Sequence, residues 1–164
     1  MKTIYSKIPT LLLLNLLCFS SIVIAQNPKT PMMGWSSWNT FKIDISEELI
    51  EKTADAMVEK GLKDAGYFYV NIDDGFFHGR DANGNLLYNT EKFPNGMRVV
   101  ADYIHSKGLK AGIYSDGGVH TCAYQYDGDT YGKEAGMRNH EEQDARLFFD
   151  TWDYDFIKMD FCGG

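Results

Sequence analysis

The hydrophobic positions of this chain change period several times, and each change marks a structural element. An early apolar stretch over residues 34–38 follows Pro31 and predicts a short strand. Ser46 then offers a helix N-cap, with Glu47 and Glu48 favourable in the first turn. Ile50, Ala54, Met57 and Val58 follow at helical spacing, and Gly61 is a natural stop. Residues 67–72 are aromatic and β-branched, which predicts a second strand ending in Asp73, Asp74 and Gly75. The polar stretch with Gly79, Asn83 and Gly84 predicts a loop or hairpin. Met97, Val100, Ala101 and Ile104 form the next helical face, closed by Gly108, and residues 111–115 predict a buried strand. A long loop rich in glycine and tyrosine carries Cys122. Ala145, Phe148, Phe149 and Trp152 repeat the helical spacing near residues 141–150, and residues 156–159 predict the last strand, with Asp160 at its C-terminal end.

The resulting order is β-α-β-α-β-α-β, which implies an α/β fold with a parallel sheet and right-handed crossovers. No glycine-rich dinucleotide or phosphate loop appears. Charged residues and glycines gather where strands end, and in a (β/α)-barrel that edge carries the active site. Four strands are half of an eight-stranded barrel, and a half barrel has two open edges. The expectation is therefore the first four strands of a parallel (β/α)8 TIM barrel, belonging to a longer protein. The alternative is a complete small doubly wound domain whose aspartates only cap helices.

Composition narrows the function. The 164 residues carry 16 Lys+Arg against 23 Asp+Glu, a net charge of −7 with no basic cluster, which argues against nucleic acid as a partner. Lys2 and Lys7 precede an uncharged run over residues 8–25, with Val23 and Ala25 three positions and one position before Gln26. This is the pattern of a secretory signal peptide over residues 1–25. A membrane anchor is the alternative, but the apolar centre is short for a span. Residues 26–164 then form the mature part, exported to the periplasm or the outside, with no stable membrane span. Cleavage leaves two cysteines, Cys122 and Cys162, and an even count in an exported protein reads as one disulfide. It would be worth about 3–4 kcal/mol on the chain-entropy model. Two buried free thiols are the other possibility.

Asp160 is the first candidate for chemistry. Lys158, two positions earlier, points to the same side of the strand and would keep that carboxylate ionised, as a nucleophile requires. A structural cap is the bland reading of the same residue. Asp73 and Asp74 are adjacent, so they point apart: one would bind hydroxyls and the other brace a neighbour, unless both only make a turn before Gly75. Trp35 and Trp38 flank two serines, and a ring at a barrel mouth can stack on a sugar face or simply pack in the core. His78, His105, His120 and His140 show no metal-ligand spacing, so no metal site is expected.

Taken together, the segments Pro-Met-Met-Gly-Trp-Ser-Ser-Trp-Asn (31–39), Asn-Ile-Asp-Asp-Gly (71–75), Gly-Ile-Tyr-Ser-Asp (112–116), Cys122 and Lys-Met-Asp-Phe-Cys (158–162) resemble glycoside hydrolase family 27, the α-galactosidase group. The resemblance implies roles residue by residue. Asp160 matches the catalytic nucleophile and Lys158 the lysine beside it on the sugar. Asp73 and Asp74 match the pair that binds galactose hydroxyls. Trp38 matches an aromatic of the same subsite, and Tyr114 a tyrosine near the nucleophile. Cys122 and Cys162 match a disulfide between strand-end loops. The implied reaction is retaining hydrolysis of terminal α-D-galactose from oligosaccharides or polysaccharides, through a glycosyl-enzyme and with no cofactor. Related exo-glycosidases acting on α-N-acetylgalactosamine or β-L-arabinopyranose, and a non-catalytic sugar-binding barrel, are the alternatives. Two departures stand out. Gly75-Phe76 replaces the family's Cys-Trp, and Lys42 stands where its cysteine partner belongs, so one family disulfide is lost on both sides. The family's acid/base aspartate lies beyond the fourth strand, so residues 1–164 alone are expected to be inactive.

Overall fold

The computed structural model describes residues 31–162; the expected signal peptide over residues 1–25 lies outside them. The first strand, β1 (Gly34–Ser36), runs into a one-turn helix, α1 (Trp38–Phe41). Helix α2 (Glu47–Glu59) begins where the sequence places it, with Leu49 N–H donating to the Ser46 hydroxyl at 3.2 Å. It buries Ile50, Ala54 and Met57. Val58 lies off that face, 39% exposed, because one residue further on is about 100° around the helix. Strand β2 (Tyr69–Ile72) is shorter than the aromatic run suggests, since Tyr67 and Phe68 stay exposed ahead of it.

The polar stretch after β2 is a hairpin of β3 (Phe77–Arg80) and β4 (Leu86–Tyr88). Helix α3 (Met97–Ser106) then leads to β5 (Lys110–Asp116), which is buried from Ala111 onward. The loop that follows holds a short helix, α4 (Cys122–Tyr126), and a 3-10 turn at Thr130–Gly132. The third helical pattern is realised as α5 (Glu141–Arg146) continuing into a wide π turn at Leu147–Thr151. In that turn Trp152 N–H donates five residues back to Leu147 O at 2.8 Å. The wider winding leaves Phe149 43% exposed while Phe148 and Trp152 remain in the core, so the simple 3.6-residue spacing does not hold there. Strand β6 (Phe156–Asp160) closes the described chain.

Four strands form one sheet in the order β1-β2-β5-β6, and every pair is parallel. The order follows the sequence without reversal. A doubly wound domain would reverse direction at a switch point, so that alternative is excluded and the winding is that of a barrel. The central pairing is close: a Cβ on Gly112 would sit 1.8 Å from the Asn71 side-chain oxygen. Val70, Ile72, Ala111 and Ile113 meet Ile50, Met57, Val100 and Ile104 in a core between sheet and helices. Among the described residues no helix is long and apolar enough to cross a membrane. Every strand of the sheet delivers its last residues to one edge, and the polar side chains gather there.

Candidate active site

Strand β6 carries Lys158 and Asp160 on the same side, as alternation along a strand requires. The Lys158 ammonium lies 3.2 Å from Asp160 Oδ2 and 3.0 and 3.1 Å from the two oxygens of Asp73, at the end of β2. One cation is thus shared by two carboxylates from different strands. Burial opposes charging Lys158, but the hydrogen bond and charge of Asp73, with Asp160 adding to them, outweigh it and raise its pKa. The ammonium also sits 5.2 Å from the centroid of the Tyr114 ring. Asp73 is nearly inaccessible, whereas the Asp160 side chain is 32% exposed and can be reached. Ser36, at the end of β1, donates its hydroxyl to Asp73 Oδ2 at 2.9 Å, and Asp73 N–H donates to Ser37 Oγ at 3.0 Å. The two serines between the tryptophans therefore orient Asp73.

Adjacent Asp74 points elsewhere. Its oxygens accept Gly75 N–H at 2.8 Å and Ala123 N–H at 2.8 Å, which ties the end of β2 to the first turn of α4. Burial pushes its pKa up to about 6, against the hydrogen bonds from Ala123, Thr121 and Gly75. Of the two aspartates, one shares the cation and the other braces a neighbour. Tyr114 is fully buried, packs edge-on against Phe77 at 6.1 Å, and accepts Cys122 N–H on its hydroxyl at 3.2 Å. Burial holds its phenol protonated, well above the ordinary tyrosine range. Trp38 stands half-buried beyond β1, with the Lys42 ammonium 5.8 Å from its ring.

Cys122 and Cys162 are bonded, with Cα atoms 5.0 Å apart across 40 residues of sequence. The free-thiol alternative falls. Cys122 Sγ lies 3.5 Å from Asp160 Oδ2 and 3.6 Å from Asp116 Oδ2. A disulfide sulfur carries no proton, so these are contacts and not hydrogen bonds. Two groups among the described residues bring three possible metal-ligand atoms within 4.8 Å of one another. In one, Asp116 with Cys122 and Cys162, the sulfurs are bonded to each other. In the other, Asp102, His105 and Asp153, the Arg98 guanidinium already lies 2.8 Å from Asp102 and 3.4 Å from Asp153. The His105 grouping was invisible to spacing because Asp153 reaches it only through the fold.

The shared ammonium, between a reachable and a buried carboxylate, lies at the C-terminal edge of sequentially wound parallel strands, the edge that carries the active site in a (β/α)-barrel. Residues 30–163 match the family model described as alpha galactosidase A. The chain belongs to that family. It is 49% identical over 137 residues to alpha-galactosidase A of Cellvibrio japonicus, covering 84% of this chain and 31% of that protein. The structure of an α-galactosidase from Saccharomyces cerevisiae with raffinose superposes with a TM-score of 0.72 at 44% identity, over 81% of this chain and 27% of that one. Alpha-galactosidase I from Mortierella vinacea superposes with a TM-score of 0.72 at 40% identity, over 81% of this chain and 31% of that one. The four strands are accordingly the first four of a (β/α)8 barrel, and the chain spans about a third of the length of the curated relatives it matches.

Family membership also gives meaning to the missing cysteine pair. Gly75 adopts φ 107°, and a Cβ there would lie 2.6 Å from the Ile43 Cα, so glycine lets the two segments touch. Lys92 spans the junction, donating to Ile43 O at 2.5 Å and Gly75 O at 2.8 Å. Close packing and one bridging ammonium hold the two segments together where the resemblance implies that one family disulfide is lost. Ser36 and Asp116 lie within the segments quoted above but the sequence assigns them no role, and nothing in it singles out Lys92, because Asp73, the Cys162 amide and the Ile43 and Gly75 carbonyls are remote from them along the chain.

Proposed function

We propose that the whole protein is an exported, retaining exo-α-galactosidase and that Asp160 is its nucleophile. The observation that carries this reading is the Lys158 ammonium held between Asp73 and Asp160, with only Asp160 accessible. The ammonium pairs with Asp160 Oδ2 at 3.2 Å and orients the carboxylate, one oxygen of which serves the reaction. That oxygen attacks the anomeric carbon of a terminal α-galactoside. The bond from the anomeric carbon to the leaving oxygen breaks, and a second carboxyl group supplies the proton that oxygen takes up. Water, deprotonated by the same second group, then attacks the anomeric carbon and frees Asp160, with net retention. Asp73, anchored by Ser36, holds in place the Lys158 ammonium that faces the sugar hydroxyls; Asp74 holds the loop beside it. Trp38 supplies an aromatic wall to the subsite, and Tyr114 a floor beneath Lys158. The substrates are α-galactosyl oligosaccharides or polysaccharides, and the uncharged run over residues 8–25 directs export.

The test is the anomer released first. Hydrolysis of raffinose by the full-length protein, followed by proton NMR, should show α-galactose before mutarotation. Asp160→Asn should lower turnover by about 10³-fold or more. Initial release of β-galactose, or an Asp160→Asn enzyme of near-normal rate, would overturn the assignment.

A further inference from the structure

Asp116 is fully buried at the end of β5, and nothing in the reaction as written uses it. It lies directly opposite Asp160 in the β5–β6 pairing. Its two oxygens are aimed at the backbone: Oδ1 accepts Gly118 N–H at 2.7 Å, and Oδ2 accepts Cys162 N–H at 2.8 Å. Next to it, Gly117 N–H donates to Asp160 O at 2.8 Å. Asp160 is therefore gripped from both sides: its own carbonyl is tied to Gly117, and the amide two residues later is tied to the Asp116 side chain. The disulfide sulfur of Cys122 packs between the two carboxylates.

We infer that Asp116 is the positioning residue for the Asp160 nucleophile, setting where β6 ends and so where the attacking oxygen lies. The inference rests on the nucleophile reading above. The physical reason is the geometry of a strand end. Beyond its last ladder bond a chain can leave in many directions, and the side chain of the strand's last residue follows that choice. A buried carboxylate accepting the Cys162 amide makes a charge-assisted bond that selects one exit. The disulfide alone fixes Cys162 only through rotatable bonds; Asp116 fixes the backbone itself. A sugar cannot touch Asp116, so its effect must appear in the rate of attack and not in binding.

The experiment uses the full-length protein and a fluorinated galactosyl fluoride that traps the glycosyl-enzyme. Wild type and Asp116→Asn are compared for the saturating rate constant of trapping, the half-saturating concentration and the final extent of labelling on Asp160. The amide side chain keeps the shape but places an N–H₂ group against one backbone donor. The expected result is a trapping rate constant lower by about 10- to 100-fold, with near-normal half-saturation and complete final labelling. A variant damaged only in stability would instead lose labelled fraction at an unchanged rate constant, which overturns the inference. If Asp116→Asn does not fold, wild type decides: the Cys162 amide should exchange hydrogen far more slowly than exposed loop amides, and free exchange there refutes the clamp. Wild type that never labels Asp160 overturns the nucleophile assignment, and this inference with it. Wild type that labels while the variant labels equally fast overturns the positioning role alone.

Discussion

Arg80 on β3 and Asp144 on α5 make a buried ion pair whose loss should be costly. Their side chains are 7% and 0% exposed. Arg80 pairs with both oxygens of Asp144, at 2.9 and 2.5 Å, and donates to the carbonyls of Glu134, Gly84 and Gly136 at 3.0, 3.0 and 2.8 Å. All five guanidinium N–H groups are thereby engaged. The pair joins the hairpin, the segment after the 3-10 turn and the start of α5. Arg80→Met leaves a carboxylate with no access to water and a buried carbonyl at Gly136 without its donor. Removing one partner of such a pair costs about 3–5 kcal/mol. At about 2–4 °C per kcal/mol for 150–250 residues that is a fall in Tm of about 6–20 °C, towards the lower end in the longer full-length protein. The assay is urea and thermal unfolding of the full-length protein, read by circular dichroism. The double variant Arg80→Met/Asp144→Leu should recover part of the loss, because two apolar groups no longer strand a charge. Recovery stays partial since the buried Gly136 carbonyl remains unpaired. A cost below about 1 kcal/mol for Arg80→Met, or a double variant no better than the single one, would refute the reasoning.

Two further outcomes follow from the site. Asp74, with its pKa raised from 3.8 to about 6 chiefly by burial, binds its proton more tightly folded than unfolded. Its contribution to stability is fully present below about pH 4 and is lost as the pH rises through about 6, a change of about 3 kcal/mol. Asp74→Asn should flatten that part of the stability–pH curve, and an unchanged slope in urea titrations between those limits would contradict the assignment. Ser36→Ala removes the hydroxyl that orients Asp73 and should lower kcat/KM on raffinose about tenfold, since a hydrogen bond to a charged group is worth roughly 1.5 kcal/mol or more. Steady-state kinetics within twofold of wild type would show that Lys158 alone holds Asp73.

The elements that read clearly from sequence are those whose order is local. Ser46 and the glutamates after it announce α2, the Met97–Ile104 periodicity announces α3, and the apolar run of β5 announces a buried strand. The same local logic places Lys158 and Asp160 on one side of β6 and separates Asp73 from Asp74. Less was legible where two segments had to meet. The π turn that rotates Phe149 outward sets the path from α5 into β6, and a period of 3.6 cannot express it. The short helix at Cys122 forms where Thr121 caps Tyr124 N–H and Asp74, from another strand, takes the Ala123 amide.

By itself, then, the sequence determined the alternation of strands and helices, the start of α2 and the identity of the residues that reach the strand ends, because propensity, capping and alternation act within a few residues. It also determined that a lysine and a carboxylate share one side of β6. Only the tertiary structure decided which of two adjacent aspartates receives that lysine, that Ser36 and Asp116 serve as orienting groups, and that Lys92 with Gly75 stands in for a cysteine pair. Those choices depend on burial and on hydrogen bonds between segments 17 to 85 residues apart. A polar atom's partner at that range is settled by which strands lie side by side, and no local pattern carries that information.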